Sequence, residues 1–339
     1  MAEAHTEHFD PVTHLPFYIS KNEAVATAGS CFAQHISRAL SFERFNYLVT
    51  EERPLTPGAT DENFGVFSAR FGNIYTIRQL LQLFDRAYGL FEPRELVWAR
   101  NNGAALDPFR PRIQQGGFAS PDQVVADREA HLAAVRRMFE RCAVFIFTLG
   151  LTEAWVSQAD GAVFPLAPGV VGVEESQARS VNFEAISMIG DLKEFIDKLL
   201  AINARVKVIL TVSPVPLVAT FENRHVLVST TSSKASLRVA AEEVCKYRPE
   251  QVAYFPSYEI IMAGGYRPPN FADDLRSVTE EGVRRVMTVF RRHFLTEAEA
   301  GRTPESPIGA IELGAEDVSR MKAVANVICD EEAIGGSGA

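Results

Sequence analysis

Residues 25–40 read Val25-Ala26-Thr27-Ala28-Gly29-Ser30-Cys31-Phe32-Ala33-Gln34-His35-Ile36-Ser37-Arg38-Ala39-Leu40. The first residues of this stretch are small and uncharged, which suits a strand buried on both faces of a parallel sheet. The glycine that follows permits a sharp turn, and the remaining residues form a helical pattern. The stretch therefore predicts a strand at residues 23–28, a turn at Gly29 and a helix from residue 31 to about residue 40.

The predicted turn presents Ser30 at the start of that helix. The first N–H groups of a helix have no intrahelical partner and lie at its positive end, so a hydroxyl at this place suits a nucleophile or an anion site. Serine is also a preferred N-cap residue, and this alternative stays open. Cys31 is a second candidate nucleophile, because a helix N-terminus activates thiols. Free cysteines generally pack in the core, so we favour Ser30.

The rest of the chain alternates predicted strands and helices. Strands are expected at residues 143–149, 206–212 and 252–255, with helices at 76–87, 121–141, 183–200, 235–247 and 279–293. This alternation predicts a doubly wound α/β fold with a parallel sheet. Asn101-Asn102-Gly103 is a good hairpin turn, so a small antiparallel insertion is expected at about residues 90–120.

Polar residues follow several of the predicted strands. Ser30, the segment 150–153, His225 and Asp274 each come after a strand. Right-handed crossovers bring the carboxyl ends of parallel strands to one edge, where such sheets bind ligands. We therefore expect these positions to converge.

Composition defines the broad class. The 339 residues are 47% hydrophobic and 23% charged, and the net charge of −9 disfavours general affinity for nucleic acid or anionic membranes. No secretory signal and no membrane span are expected. The four cysteines are far apart, which indicates a reduced, cytoplasmic protein. No dinucleotide motif and no metal-ligand cluster is present in the sequence, so no cofactor is expected.

Three regions are expected along the chain. Residues 1–22 are predicted to form a surface arm, residues 23–295 the α/β domain, and residues 296–339 a linker, a docked helix at residues 315–328 and a disordered tail.

Five sequence blocks carry a family resemblance. They are Gly29-Ser30-Cys31-Phe32-Ala33, Phe67-Ser68-Ala69-Arg70-Phe71-Gly72-Asn73-Ile74-Tyr75, Phe147-Thr148-Leu149-Gly150-Leu151-Thr152-Glu153-Ala154-Trp155, Val212-Ser213-Pro214-Val215-Pro216 and Asp273-Asp274-Leu275-Arg276. In this order they resemble the GSCFA family, a branch of the SGNH (GDSL-like) hydrolase superfamily. The resemblance implies a three-layer α/β/α sheet and a serine-dependent esterase or acyltransferase. It also implies that the Ser30 and Gly72 N–H groups and a side-chain donor bind the oxyanion.

The catalytic base is the point of departure from the superfamily. The last block usually reads Asp-x-x-His, but Ser277 occupies the histidine position here. Of the seven histidines, His225 is the best replacement because it follows a strand at the expected edge. Asp274 is then either the group that orients His225 or a cap of the final helix.

Other polar residues have two interpretations each. Asn73 is the more plausible amide donor to the oxyanion, and the Thr152 hydroxyl is a second donor. Glu153 either orients a base or binds a sugar hydroxyl, or it holds its own loop together. Arg110 either faces a ligand or forms a salt bridge.

The leading prediction is an ester hydrolase or O-acyltransferase acting on an acylated, carbohydrate-like substrate, with Ser30, His225 and Asp274 as its catalytic residues. The first alternative is a catalytically silent protein that binds a glycan or a protein partner. The second is a hydrolase that uses Cys31.

Overall fold

The computed structural model describes residues 9–53, 63–173, 176–265 and 268–296. Its strands, in chain order, are β1 (Ile19–Ser20), β2 (Val25–Gly29), β3 (Trp98–Ala99), β4 (Ala105–Leu106), β5 (Val144–Leu149), β6 (Glu153–Ser157), β7 (Val163–Phe164), β8 (Ala178–Asn182), β9 (Lys207–Val212), β10 (Val252–Phe255) and β11 (Leu295–Thr296). Its α-helices are α1 (Ala33–Phe42), α2 (Ile77–Ala87), α3 (Pro121–Arg141), α4 (Ala185–Ile202), α5 (Val226–Tyr247), α6 (Ser257–Met262) and α7 (Glu280–Phe294).

The central sheet is parallel and has the order β10-β9-β5-β2. Gly29 at the end of β2 pairs with Thr148 of β5, and Leu149 of β5 pairs with Val212 of β9. An isolated parallel bridge between Val25 and Tyr47 extends the sheet beyond β2. After β2 the chain passes to Tyr47 on one side of β2, and it later enters β5 on the other side. The gap between β2 and β5 is therefore a topological switch point.

Helices cover both faces of this sheet. One core combines every second residue of the strands, such as Phe145 and Phe147 of β5, with α2, α3, α4 and α5. The other combines the intervening residues, such as Val144 and Ile146, with α1, α6 and α7. Because a strand alternates its side chains between faces, an uncharged strand such as β5 feeds both cores. The predicted doubly wound, three-layer α/β/α fold is confirmed.

Several helices begin where the sequence offers an N-cap. The hydroxyls of Thr76, Ser120 and Thr279 accept hydrogen bonds from backbone N–H groups of the first turns of α2, α3 and α7. These caps satisfy N–H groups that a helix leaves unpaired. Helix α1 differs, because its N-cap position is Phe32 and no side chain caps it.

Small antiparallel sheets lie outside the central one. Strands β3 and β4 pair around the Asn101-Asn102-Gly103 turn, which confirms the predicted insertion. A second sheet, of order β7-β6-β8, was not predicted from the sequence. It follows directly after β5, so the chain that leaves the switch point turns at once into a new sheet.

Some regions differ from the expectations or fall outside the described residues. Strand β1 pairs in parallel with β11, and Phe17 and Ile19 are buried, so this part of the expected surface arm belongs to the fold. The run Tyr47-Leu48-Val49-Thr50, which also reads as a strand in the sequence, contributes a single bridge through Tyr47. The predictions for residues 1–8 and for the linker, docked helix and tail at 297–339 lie outside the described residues.

Candidate active site at the switch point

Ser30 and Gly150 meet where β2 and β5 end. A Cβ atom added to Gly150 would lie 3.1 Å from the Ser30 Cβ and 3.0 Å from the Tyr75 carbonyl oxygen. Gly150 therefore lets three chain segments approach one another closely at the carboxyl edge of the sheet. This is the position at which open parallel sheets bind ligands.

The Ser30 hydroxyl is buried and has no hydrogen-bond partner among the described residues. It is not a helix cap, since α1 begins at Ala33 and no side chain caps it. The Ser30 N–H, which was predicted to bind an oxyanion, donates to the Thr148 carbonyl over a long 3.3 Å. An unpaired buried hydroxyl lowers the stability of the fold, so a hydrogen bond of the side chain does not explain why a serine lies at this position.

A segment without regular secondary structure, residues 67–75, crosses the ends of β2 and β5. The Ser68 hydroxyl accepts from the Thr27 N–H at 3.0 Å, and the Ile74 N–H donates to the Gly29 carbonyl at 2.8 Å. At the far end, the Tyr75 carbonyl accepts from the Gly150 N–H at 3.1 Å. These bonds fix the segment as a bridge over the switch point.

Gly72 and Asn73 lie in this bridging segment, close to the first turn of α1. Gly72 has a φ of +71°, a conformation that L-residues rarely adopt. Asn73 is buried, its side-chain oxygen accepts from the Gln34 amide at 3.5 Å, and its carbonyl accepts from the Gln79 amide at 3.1 Å. The two predicted oxyanion residues are thus brought to the same end of α1 as Ser30. Gln34, which holds Asn73, was not singled out from the sequence.

Arg110 forms buried ion pairs. Its guanidinium donates to Asp107 at 2.9 Å and to Asp127 at 2.7 Å. These partners support the salt-bridge interpretation, although in the interior rather than at the surface. Arg110 also lines a solvent-open pocket together with Gly72 and Asn73.

Thr152 and Glu153 connect the switch point to the region around α5. The Thr152 N–H donates to the Ser233 hydroxyl at 3.2 Å. The Glu153 carboxylate accepts from the Thr220 hydroxyl at 2.6 Å and from the Phe221 N–H at 3.0 Å. Glu153 therefore tethers the loop between β9 and α5 rather than its own loop.

His225 lies at the N-cap of α5 and is exposed. Its Nδ1 accepts from the Leu227 N–H at 3.2 Å, and no contact among the described residues joins its ring to Ser30 or Asp274. Helix α5 begins at Val226, nine residues earlier than expected. With 22 residues it is about 33 Å long, whereas the six residues of β9 span about 20 Å. The first turns of α5 therefore project beyond the sheet edge and carry His225 with them.

Lys234 is the residue of α5 that lies level with the sheet edge. It is only 1% exposed, and its Nζ donates to the Gly150 carbonyl at 2.7 Å. Lysine is almost never buried to this extent, because removing an ammonium group from water is costly. The sequence carried a signal that we missed, since Lys234 lies on the same helical stripe as the buried Thr230, Leu237 and Ala241.

Asp274 stabilises its own turn. One carboxylate oxygen accepts from the N–H groups of Arg276 and Ser277 at 2.9 and 2.8 Å, and the other accepts from the Ser277 hydroxyl. Slight burial raises the pKa of Asp274, but the Ser277 hydroxyl and these N–H groups outweigh it and lower the pKa. Thr279 is the cap of α7. Asp274 therefore organises the turn that precedes α7.

Neither a metal-ligand cluster nor a membrane-spanning helix occurs among the described residues. No group of three His, Cys, Asp or Glu side chains that could hold a metal occurs within the described ranges. Of the helices in these ranges, none is long and apolar enough to cross a bilayer.

Cys31 is buried beside Ser30. In the first turn of α1, burial together with Arg38 lowers the pKa of the half-buried His35 to about 4.

The fold and this site define a three-layer α/β/α protein with a serine at its first strand-to-helix turn. The sequence profile of the GSCFA family matches residues 24–290, so the chain belongs to the GSCFA family. The match includes the β2–α1 turn, the bridging segment and α5. Neither a curated protein nor a solved structure matches the chain.

Proposed function

We propose that this protein is a serine-dependent ester hydrolase or O-acyltransferase with Ser30 as its nucleophile. The observation that carries the proposal is the Ser30 hydroxyl, which is buried and unpaired at the topological switch point and has no capping role. A hydroxyl kept at such a cost is more readily explained by chemistry than by stability.

The surroundings of Ser30 suit acyl transfer. A serine attacks an ester carbonyl and generates an oxyanion, which needs N–H donors close by. The donors proposed here are the Asn73 amide, the Gly72 N–H and the Ser30 N–H, whose bond to the Thr148 carbonyl is a long 3.3 Å. In the arrangement predicted from the sequence, His225 is the base and Asp274 orients it, but the exposed His225 ring makes no contact with Ser30 or Asp274 among the described residues.

Substrate access requires a movement. The Ser30 oxygen is buried, and a pocket lined by Gly72, Asn73 and Arg110 lies beside the bridging segment. A shift of residues 71–73 would join the pocket to the hydroxyl. Closing over the substrate again would exclude water, as enzyme loops commonly do.

The finer assignments rest on resemblance. Membership of the SGNH superfamily and an acylated, carbohydrate-like substrate are implied by the sequence blocks, and a cytoplasmic location by the dispersed cysteines.

A specific observation favours a second candidate, a catalytically silent protein that binds a glycan or a protein partner. Ser277 and Asp274 bond to each other where superfamily enzymes carry the Asp and His of the last block. Together with the covered Ser30 oxygen, this arrangement suits a fold retained for binding.

Hydrolysis of short acyl esters and of acetylated sugars separates the two. We expect the purified protein to release acid, and Ser30→Ala to lower kcat/KM by about 10³-fold or more. Ser37→Ala is the matched control. Ser37 is a buried serine of α1, the helix that follows Ser30, and its hydroxyl donates to the Gln34 carbonyl. Absence of activity from all three proteins would favour the binding protein, whereas equal activity in all three would exclude Ser30 as the nucleophile.

A further inference from the structure

The proposed function, on which this inference rests, requires a group that activates Ser30. A serine hydroxyl is a weak nucleophile and needs a base that accepts its proton. His225 is exposed and bound to the start of α5, and Lys234 lies nine residues further along the same helix. At about 1.5 Å per residue, these two side chains depart from α5 about 13 Å apart along its axis.

Three contacts place the Lys234 amine beside the switch point. Its Nζ lies 2.7 Å from the Gly150 carbonyl oxygen. Gly150 packs against Ser30 so closely that a Cβ on it would lie 3.1 Å from the Ser30 Cβ. The preceding residue of α5, Ser233, accepts from the Thr152 N–H two residues beyond Gly150. Helix α5 is therefore fixed to this edge at Ser233 and Lys234.

We propose that Lys234 is the general base for Ser30 and that this protein uses a Ser–Lys pair. A lysine that is cut off from water gives up its proton more readily than an exposed one, which is why buried lysines can serve as bases. The neutral amine keeps an N–H for the Gly150 carbonyl and has a lone pair for the serine proton.

The proposed reaction balances without any further reagent. The Ser30 oxygen forms a bond to the ester carbonyl carbon while its proton passes to the Lys234 nitrogen. The C–O bond to the alcohol then breaks, and the departing oxygen takes that proton, which leaves an acyl group on Ser30. Water or an acceptor hydroxyl attacks the acyl carbon, gives its proton to Lys234, and Ser30 leaves with the proton returned.

The test measures how fast a fluorophosphonate probe labels the wild-type protein and its variants. We expect Lys234→Met, which keeps the length of the side chain without its amine, to slow labelling about 100-fold or more. Lys234→Arg keeps the charge but cannot accept a proton, so we expect the same loss. Lys246→Met is the matched control, since Lys246 is an exposed lysine of the same helix, and we expect it to label at the wild-type rate.

A rescue experiment separates a base from a structural lysine. Lys234→Ala leaves room for a small amine, and we expect added primary amines to restore labelling in order of their basicity. Lys234→Met fills that room and should not respond. Rescue that is the same for amines of different basicity would show a structural role and overturn the inference.

The failure of this inference is distinguishable from the failure of the proposed function. If the wild-type protein is labelled and Lys234→Met is labelled equally fast, only the inference falls. Loss of labelling in His225→Ala with retention in Lys234→Met would assign the base to the imidazole. If the folded wild-type protein is not labelled at Ser30, both fall together. Should Lys234→Met not fold, Lys234→Arg decides between these outcomes.

Discussion

Gly29 and Thr148 approach each other so closely that Gly29 has no room for a side chain. A Cβ on Gly29 would lie 2.4 Å from the Thr148 carbonyl oxygen and 2.8 Å from its backbone nitrogen. The φ of Gly29 is also +140°, which lies in a range that L-residues rarely adopt. The overlap is with the backbone of β5 and the φ belongs to the Gly29 backbone itself, so a small shift of a side chain relieves neither constraint. The turn that presents Ser30 depends on this contact.

We therefore expect Gly29→Ala to lower the free energy of unfolding by at least about 3 kcal/mol, because strain and overlap act together. Urea unfolding followed by circular dichroism measures the change. Gly190→Ala is the control, since Gly190 is an exposed residue of α4 with no atom within 4 Å of an added Cβ. Alanine there should stabilise the protein by about 0.5–1 kcal/mol. A loss below 1 kcal/mol in Gly29→Ala would mean that the turn is not as tight as described.

A second prediction concerns the buried pair of Glu51 and His131, whose side chains are 2.7 Å apart. Burial by itself raises the pKa of Glu51, but the His131 ring, Arg110 and the Arg70 N–H together outweigh it and lower the pKa to about 2. A carboxylate with a depressed pKa stabilises the fold above its unfolded value and loses that contribution as the pH falls. Burial and Arg110 lower the pKa of His131, and this shift also weakens the fold as the pH falls below about 6.5.

Between pH 7 and pH 3 the wild-type protein should therefore lose about 2 kcal/mol that Glu51→Gln does not lose. The measurement is urea unfolding at a series of pH values. Glu129→Gln is the matched control, because Glu129 is an exposed residue of α3, the helix that also carries His131. Parallel stability curves for the wild-type protein and Glu51→Gln would rule out this account of the pair.

A third prediction concerns the turn around Asp274. Its carboxylate accepts two backbone N–H groups, so we expect Asp274→Ala to cost about 1 kcal/mol of stability. The neighbouring Asp273 is also exposed, and Asp273→Ala should stay within about 0.5 kcal/mol of the wild-type protein. Equal stability of the two variants would remove the turn-forming role.

A fourth prediction separates Ser30 from Cys31. Cys31 and Cys142 are buried, and burial raises the pKa of the Cys142 thiol to about 12. Buried thiols that are not thiolates alkylate slowly, so iodoacetamide should modify both cysteines only after unfolding and should leave ester hydrolysis intact. Peptide mass spectrometry measures the modification. Fast alkylation of Cys31 with parallel loss of activity would support the cysteine hydrolase instead.

The layers of the fold were predictable because their signals are local. An uncharged run such as residues 144–149 can be a strand buried on both faces, and the Asn101-Asn102-Gly103 turn specifies its hairpin. The start of α5 was not predictable in the same way. Its first turns contain Ser and Thr residues that have only modest helix propensity, and packing against the neighbouring elements overrides that preference.

The misplaced start of α5 also explains why Lys234 was missed and why His225 was favoured as the base. With α5 beginning at residue 235, His225 belonged to a loop above the strands and Lys234 preceded the helix. The actual helix places Lys234 among buried residues and carries His225 past the sheet edge. Ser30, Gly72 and Asn73 were predicted together because the sequence blocks that contain them resemble those of the GSCFA family, and hydrogen bonds from residues 67–75 to β2 bring these blocks together.

The most direct test of the account is the identity of the residue that forms a covalent adduct with a fluorophosphonate probe. The account predicts one adduct, located on Ser30 by peptide mass spectrometry, and its disappearance in Ser30→Ala while Ser37→Ala is labelled normally. An adduct on another residue, or a folded protein that forms none, would contradict the claim that Ser30 is the nucleophile.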